Sequence, residues 1–518
     1  QEFGFYKPGD WSIAAPKFRE FLKNRYGTVE HLRESWGDLL PATVAGFDDV
    51  PMFDLAMTKA RDARSRDAAL FMNRVERDTA KWYRSELEKM NCKALLSNYN
   101  MSKSLRYSAV RSDLDFVSMN GYPVHPTDYS NPGSVLEQPS SLEPDAGLAR
   151  WLTGVKLAGK PLVITEYSHV FWNRYRYEQP FVAGAYGAFQ KFDVLTHYGS
   201  PISVVPVQRI QPFTAMADPI MRASEFLTFF LLRRGDITPA RQTVRLLLPE
   251  KEIFEQFDYN EGITANQSRL ALLTGFTTEV VPDDQSAPGL PLRNGEIALR
   301  ANGSAQVNTD LAGFSSVLEN GGGDFNFPDF VEKLRKIGFL PEKNRSDVAN
   351  NIYENQTGEL YLDSRKHLAA IDTPRLQGVC REAGGGAKLA DFELLDMNRR
   401  GNISIVSVDG NKPVAEAEKL VLVAATNALN EGMVFDDADR TILREIGGNG
   451  RILLETAKFS FRLHNRNAGK LKLWALSPQG SRREAIPLNH PDAETVEGTV
   501  DTARLKDGPT VFFELAAK

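Results

Sequence analysis

The first 235 residues alternate between two spacings of apolar positions. Phe18 and Leu22 belong to a set that recurs every three to four residues, which predicts a helix from Pro16 to Tyr26. Pro16 suits the first turn of that helix, and Gly27 suits its end. A longer amphipathic pattern, mixed with many charged residues, predicts a second helix over residues 56–90.

Short apolar runs follow these helices. Runs of this length, bounded by polar residues, are typical of buried parallel strands, and each run here ends in polar or aromatic residues. Functional groups gather at the carboxyl ends of strands in a (β/α)₈ TIM barrel, and no glycine-rich dinucleotide loop favours a doubly wound sheet instead. The predicted strands span residues 93–98, 114–119, 161–166 and 192–197.

The pattern changes after about Asp236, where Arg245–Pro249 is another strand candidate. After about Tyr353 the chain shows short strand candidates separated by turns, which predicts a β-sandwich. The predicted fold class is therefore α/β. It comprises a (β/α)₈ barrel unit over residues 1–235, an intermediate mixed α/β domain over 236–352 and a C-terminal β-sandwich over 353–518.

Composition narrows the classes of function. The chain has 518 residues, of which 42% are hydrophobic and 25% charged, so a disordered or fibrous protein is excluded. A net charge of −5 gives no reason to expect nucleic acid or a membrane as partner. No apolar run is long enough to span a membrane. The two cysteines, Cys92 and Cys380, form neither a disulfide scaffold nor a zinc motif.

Glu166 is the strongest candidate for chemistry. It directly follows an apolar strand, which would hold its backbone at the rim of a barrel. Tyr167, His169, Phe171 and Trp172 come next, and such a cluster of aromatic rings suits stacking on sugar rings. The alternative is a surface carboxylate that merely follows an edge strand.

An ordered set of segments resembles glycoside hydrolase family 42, whose members are β-galactosidases of the large retaining clan A. The resemblance extends over roughly 200 residues, and the order and spacing of the segments support it more than any single motif does. It rests on QEFG at 1–4, FREFLKNRYGTVEHL at 18–32, SWG at 35–37, LLSNYN at 95–100, DFVSMNGYP at 115–123 and PLVITE at 161–166.

The resemblance implies two catalytic carboxylates at the rim of a (β/α)₈ barrel, of which this chain would hold strands four to eight. Glu2 matches the acid/base of the family, and Glu166 matches its nucleophile. In retaining enzymes one carboxylate attacks the anomeric carbon while the other protonates the leaving oxygen and then activates water, with the two groups about 5–5.5 Å apart. Burial or the neighbouring carboxylate should raise the pKa of the acid/base.

Further residues are candidates for substrate binding, although lone His and Asn residues more often cap strands or turns. Tyr122 follows the sixth strand and is placed to hydrogen-bond the nucleophile or to pack at the rim. Trp172 matches a position where the family has a sugar-stacking Trp. The remaining candidates for contact with sugar hydroxyls are Asn98, Asn120, His125, His169 and His197.

Departures from the family pattern leave the sugar open. Gln1 stands where the family has Asn, and the eighth strand ends in His197-Tyr198 rather than in Trp. The family's cysteine cluster is absent, so no structural zinc is implied, and we expect neither a metal nor a cofactor. A β-galactoside and another β-linked sugar of an algal or plant polysaccharide are equal alternatives.

Two other functions stay open. A non-catalytic carbohydrate-binding relic of a barrel, with the β-sandwich as binding module, would bind sugar without turnover. A lyase on the same fold would give an unsaturated product, and the fold alone does not choose among these functions. The paired carboxylates and the aromatic residues favour the glycosidase.

The assignment of Glu2 also has a consequence for the barrel. If Glu2 ends the fourth strand, strands one to four lie outside this sequence, and a half-barrel leaves strand edges and core exposed. We expect a longer polypeptide or a second chain to supply those strands, unless Glu2 occupies another position. The resemblance is also compatible with a homo-oligomer, trimer or dimer, and with a bacterial protein of periplasmic, secreted or cytoplasmic location.

Overall fold

The N-terminal part of the chain begins with helices that pack on one another. The computed structural model describes residues 13–53, 62–199, 209–256, 262–282, 295–300, 305–307, 326–448 and 450–517. Its α-helices are α1 (Ala14–Tyr26), α2 (Val29–Trp36), α3 (Ala63–Lys89), α4 (Leu105–Arg111), α5 (Gly147–Gly154), α6 (Ala185–Phe189), α7 (Pro219–Thr228), α8 (Glu250–Gln256), α9 (Ala265–Arg269) and α10 (Phe327–Lys336).

Helices α1, α2 and α3 share an apolar core. Phe18 of α1 packs edge-on against Phe71 of α3, with ring centroids 5.2 Å apart. Asp62 caps the start of α3 by accepting a hydrogen bond from the backbone N–H of Ser65 at 2.8 Å. The helix predicted over 16–26 is confirmed by α1, and α3 lies within the predicted range 56–90.

Three parallel strands follow in chain order. They are β1 (Val117–Gly121), β2 (Leu162–Tyr167) and β3 (Val194–His197), with β2 in the middle. Helix α5 connects β1 to β2, α6 precedes β3, and α7 comes after it. Because parallel neighbours have their carboxyl ends at one edge, the loops that follow these strands gather on one side of the sheet.

The strand predicted over residues 93–98 is wrong, because this stretch forms no strand. It still runs beside the start of β1, where Leu96 accepts a backbone hydrogen bond from Asp115 at 3.0 Å. The return bond goes to a side chain, since the N–H of Leu96 donates to Asp115 Oδ2 at 2.7 Å. Leu95 is 66% exposed, so this apolar run lacks the burial that the prediction assumed.

A second sheet lies in the middle of the chain. Its strands are β4 (Thr243–Pro249), β5 (Gly275–Val281), β6 (Glu296–Arg300) and β7 (Ala305–Val307), in the order β5-β4-β6-β7. The first three are parallel, and β7 is antiparallel to β6. Strand β4 confirms the predicted strand at 245–249.

The C-terminal part is rich in β-structure, as predicted, so the chain as a whole is mixed α/β. One antiparallel sheet has the order β22-β21-β25-β15-β14-β11-β10-β9-β8, and another has the order β12-β13-β20-β24-β23. Apolar residues of both sheets form one core, as in the two layers of a sandwich. The strands are β8 (Ile352–Glu354), β9 (Leu360–Asp363), β10 (Leu368–Asp372), β11 (Leu376–Arg381), β12 (Ala387–Lys388), β13 (Phe392–Met397), β14 (Gly401–Ser407), β15 (Lys419–Ala425), β16 (Ala428–Asn430), β17 (Val434–Phe435), β18 (Leu443–Glu445), β19 (Ile452–Leu454), β20 (Lys458–His464), β21 (Lys472–Leu476), β22 (Arg482–Ile486), β23 (Leu488–Asn489), β24 (Thr495–Asp501) and β25 (Phe512–Ala516).

The segment 426–457, between β15 and β20, packs on the loops that follow the three parallel strands. The loop after β1 meets it where the N–H of Leu136 donates to the carbonyl of Thr441 at 2.9 Å. Arg176, in the loop after β2, donates to the carbonyl of Ala428 at 3.0 Å. The N–H of Ile210, after β3, donates to Asn430 Oδ1 at 2.8 Å. The 426–457 segment therefore helps to fix the loops at the carboxyl edge of the sheet.

Across the residues that the structure describes, no helix combines the length and the apolar character that a membrane span requires.

Candidate active site

Glu166 and Tyr122 meet at the carboxyl edge of the three-stranded sheet. Glu166 is the penultimate residue of β2 and lies opposite Asn120 of β1, while Tyr122 directly follows β1. The Tyr122 hydroxyl donates a hydrogen bond to Oε2 of Glu166 at 2.6 Å. Parallel pairing of two neighbouring strands thus brings together two residues that the sequence analysis singled out.

Asn120 lies in the same layer but is occupied by a protein partner. It is 5% exposed, and its Oδ1 accepts a hydrogen bond from Thr165 Oγ1 at 2.6 Å. Asn98 is half-buried, with its Oδ1 accepting from the N–H of Tyr99 at 2.8 Å. In both residues the side-chain oxygen is occupied, so the side-chain N–H groups are the donors toward any ligand. Contact of Asn98 and Asn120 with sugar stays a prediction.

Next to Tyr122 lies a group of aromatic side chains, here called the aromatic cluster. Phe213 is at its centre, with ring centroids 5.8 Å from Tyr122, 5.2 Å from His125, 5.9 Å from Tyr129 and 5.5 Å from Tyr198. Tyr129 is 58% exposed and Tyr198 is 45% exposed. The cluster is therefore an exposed aromatic surface directly beside the Tyr122–Glu166 pair, and it includes the predicted His125.

Sequence reasoning missed Tyr129 and Phe213 as members of this surface. Both lie in loops, and no local pattern ties them to Glu166. The position of Tyr198 directly after β3 is the one sequence feature that indicated its place in the aromatic cluster. A residue at the end of a predicted strand can therefore be placed at the site from the sequence alone. The place of a loop residue is known only from the folded structure.

The aromatic residues that directly follow Glu166 lie in the core instead. Tyr167, Phe171 and Trp172 are each no more than 2% exposed. The Trp172 indole N–H donates to the carbonyl of Arg440 at 3.0 Å, and its ring packs 6.3 Å from that of Phe435. In this conformation Trp172 has no ring face free to stack on a sugar, so its assignment stays a prediction that requires rearrangement.

His169 is also buried, in a hydrogen-bonded network with Glu178. His169 Nε2 lies 2.5 Å from Ser141 Oγ, and Glu178 accepts hydrogen bonds from the Ser140 hydroxyl at 2.9 Å and from the N–H of Ser141 at 2.6 Å. Burial lowers the pKa of His169 to about 3. Burial also raises the pKa of Glu178 to about 8, against these hydrogen bonds, so both groups are neutral at neutral pH.

His197 belongs to an adjoining polar group around Glu225. Its Nδ1 lies 3.4 Å from Glu225 Oε1, and its Nε2 lies 3.3 Å from Ser168 Oγ. The Tyr167 hydroxyl and the Gln179 amide also donate to Glu225, at 2.6 Å and 2.8 Å. Burial lowers the pKa of His197 to about 4 and raises that of Glu225 to about 7. This group supports the end of β3, and contact of His197 with sugar stays a prediction.

The predicted acid/base, Glu2, lies outside the described residues. Among the residues that are described, no three His, Cys, Asp or Glu side chains are arranged to hold a metal ion. The chemistry available at the described site is therefore that of one carboxylate, its phenolic donor and the aromatic cluster.

Comparison with known proteins gives a match that includes both predicted carboxylates. Residues 2–184 match the model of glycoside hydrolase family 42, described as Beta-galactosidase. The resemblance to family 42 predicted from the sequence is thereby confirmed over these residues, and it supports a glycoside hydrolase. The match ends before α6, so it includes β1 and β2 but not the C-terminal β-rich part.

No curated protein matches the chain significantly. Among solved structures, the chain is similar to a β-galactosidase from the psychrophilic Marinomonas ef1, with a TM-score of 0.39, 13% identity and 76% of each chain covered. It is also similar to an apo exo-carrageenase of family 42 from Bacteroides ovatus, with a TM-score of 0.38 and 11% identity. That comparison covers 86% of this chain and 62% of the carrageenase chain. Both likenesses are too distant to bear on substrate or mechanism.

Proposed function

We propose that this protein is a retaining β-glycoside hydrolase with Glu166 as its nucleophile and Glu2 as its acid/base. The observation that supports this most is the 2.6 Å hydrogen bond from Tyr122 to Glu166 at the carboxyl edge of parallel strands. The match of residues 2–184 to family 42 supports it further. We also propose that β1, β2 and β3 are strands six to eight of a (β/α)₈ barrel, within the catalytic unit 1–235.

The proposed reaction is a double displacement. Glu166 attacks the anomeric carbon with the Oε atom that Tyr122 leaves free, while Glu2 donates its proton to the departing glycosidic oxygen. The bond to the leaving group breaks and a glycosyl-enzyme ester forms. Glu2 then takes a proton from water, which attacks the anomeric carbon and releases Glu166.

Tyr122 has a positioning role in this scheme. Its hydroxyl fixes one carboxylate oxygen of Glu166, which sets the direction of the other toward the substrate. Charge-assisted O–H···O⁻ bonds of this length are among the stronger ones in proteins. The hydrogen bond therefore holds the nucleophile in a single orientation before the substrate arrives.

The aromatic cluster supplies the surface on which a sugar would rest. Large exposed rings grouped in one place usually mark a binding site, because leaving them in water is unfavourable. Tyr129 and Tyr198 display polar hydroxyls beside apolar ring faces, which suits the mixed surface of a pyranose. The family description makes a β-galactoside the first substrate class to test, with related β-linked oligosaccharides or polysaccharides next.

The test uses aryl β-glycosides and two alanine variants. Glu166→Ala and Glu2→Ala should each reduce hydrolysis of an aryl β-galactoside to near background. Azide should restore turnover in both, giving the α-glycosyl azide with Glu166→Ala, where it replaces the nucleophile, and the β-glycosyl azide with Glu2→Ala. The control is Glu137→Gln, an exposed carboxylate in the loop after β1, which should keep wild-type activity.

Sugar binding without turnover, unaffected by Glu166→Gln, would overturn this proposal in favour of a binding protein. An unsaturated product that absorbs in the ultraviolet would overturn it in favour of a lyase.

A further inference from the structure

A polar cavity of about 210 Å³ lies where the loop after β2 meets the 426–457 segment. Its walls come from three parts of the chain, namely these two and the turn between β13 and β14. It is separate from the aromatic cluster. The lining residues are Arg174, Arg400, Asn427, Ala438, Arg440 and Glu455.

The charge of this lining is unbalanced toward positive. It contains three guanidinium groups and one carboxylate. Glu455 pairs with Arg399, outside the lining, at 4.0 Å, and Arg400 pairs with Glu382, also outside it, at 3.5 Å. Within the described residues, Arg174 and Arg440 have no carboxylate within ion-pair distance, so two unpaired cations line the cavity.

Two of the three arginines, Arg174 and Arg400, also contact neutral groups. The Arg174 guanidinium donates to the carbonyl of Asp439, and its backbone N–H donates to Gln138 Oε1 at 2.8 Å. Arg400 donates to the Tyr175 hydroxyl at 2.9 Å and lies over the Tyr175 ring, 5.3 Å from its centroid. Such contacts fix the position of a guanidinium without neutralising it, which prepares it to bind an anion.

A buried amide adds a neutral donor to the same cavity. Asn427 is 8% exposed, and its Oδ1 accepts a hydrogen bond from the N–H of Ala428 at 2.9 Å. Its Nδ2 has no hydrogen-bond partner within the part of the chain that the structure describes. Buried polar groups are normally satisfied, so this N–H donor is available to a ligand in the cavity.

We propose that the cavity binds an oxyanion, and that this oxyanion is the sulfate ester or carboxylate of an acidic saccharide. Two guanidinium groups without carboxylate partners and one free amide N–H match the multiple acceptors of such a group. The assignment to a saccharide rests on the glycosidase function proposed above. Arg174 follows Glu166 by eight positions, so it lies at most roughly 26–29 Å away along an extended chain, within reach of a bound oligosaccharide.

The experiment compares ligands that differ in charge and in the presence of a sugar ring. Binding of galactose 6-sulfate, glucuronic acid, galactose and inorganic sulfate is measured at constant ionic strength by ligand-observed NMR titration. The wild type is compared with Arg174→Gln/Arg440→Gln. The control, Arg451→Gln/Arg504→Gln, removes two arginines that are 82% and 87% exposed in surface ion pairs.

We expect the charged sugars to bind at least roughly tenfold more tightly than galactose, and the Arg174/Arg440 double variant to lose that preference while the control keeps it. Arg440→Gln alone should lose part of it. This variant should fold normally, because the Arg440 side chain makes no hydrogen bond or ion pair with other described residues.

Three results would overturn the proposal. Equal binding of charged and neutral sugars would show that the cavity is not an oxyanion site. A preference for charged sugars that survives Arg174→Gln/Arg440→Gln would show the same. If inorganic sulfate binds as tightly as galactose 6-sulfate, with the same dependence on arginine, the cavity binds a free anion and does not recognise a saccharide. The glycosidase proposal fails separately, since its test uses a neutral substrate and Glu166.

Discussion

The variant Tyr122→Phe removes one hydroxyl and leaves the aromatic ring in place. The lost contact is the 2.6 Å hydrogen bond to Glu166 Oε2, and Tyr122 is only half-buried, so the fold should be retained. A hydrogen bond to a charged group contributes about 1.5–3 kcal/mol. If that energy fixes the nucleophile for attack, its loss lowers the rate of glycosyl-enzyme formation roughly 10- to 150-fold.

The assay separates positioning of Glu166 from binding of the sugar. We expect kcat on an aryl β-galactoside to fall by this factor with little change in KM, because the ring of Tyr122 still contributes to the aromatic cluster. Inactivation by a 2-deoxy-2-fluoro glycoside, which reports the first step alone, should slow by a similar factor. The matched control is Tyr83→Phe, which removes a hydroxyl from a half-exposed tyrosine on α3.

Either of two results would exclude the positioning role of Tyr122. An unchanged rate of inactivation would show that Tyr122 does not position Glu166. A rise in KM with kcat intact would show that the hydroxyl binds the substrate rather than the nucleophile.

Three further changes test the site and the packing around it. Tyr129→Ala should raise KM roughly 2- to 10-fold with kcat nearly unchanged, because it removes an exposed ring of the aromatic cluster; a proportional fall in kcat would contradict this role. Glu178 has its pKa raised to about 8 from a usual value of 4.5, so the folded state keeps a proton that the unfolded chain loses, and stability falls as pH rises through this window by up to about 1.4 kcal/mol per pH unit. Urea unfolding between pH 5 and 8 should show a smaller loss for Glu178→Gln than for the wild type, because Glu225 contributes the same loss to both, and parallel curves would refute it. Asp67→Ala should lower the free energy of unfolding by about 1–3 kcal/mol, because Asp67 is 1% exposed and accepts the Trp36 indole N–H at 2.8 Å; exposed Asp38→Ala is the control, and equal losses for the two variants would contradict the reasoning.

Two of the helices and several of the strands were predictable because their patterns are local. The spacing of Phe18 and Leu22 gives α1, and the apolar run before Glu166 gives β2. The strand predicted at 93–98 is wrong, because a side chain takes the place of a backbone partner there. The N–H of Leu96 donates to the Asp115 carboxylate instead of to a carbonyl of a neighbouring strand. Apolar composition indicates burial only when a neighbouring layer exists, and Leu95 is exposed.

The candidate site was predictable only where residues end a strand. Glu166 and Tyr122 follow from that rule, and the structure places them in contact. Trp172 does not end a strand; it lies close to Glu166 in sequence but packs in the core against Phe435. Its contact with sugar therefore stays a prediction. The strand-end rule does not identify Phe213, because the path of a loop depends on distant parts of the chain such as the 426–457 segment.

The proposed double displacement requires that Glu166 forms a covalent bond with the sugar during turnover. The direct measurement is mass spectrometry of the protein after treatment with a 2-deoxy-2-fluoro β-galactoside, followed by peptide mapping. We expect one added fluoro-sugar, carried on Glu166, and no addition to Glu166→Gln. Turnover of the natural substrate with the label on another residue, or with inversion at the anomeric carbon, would contradict it.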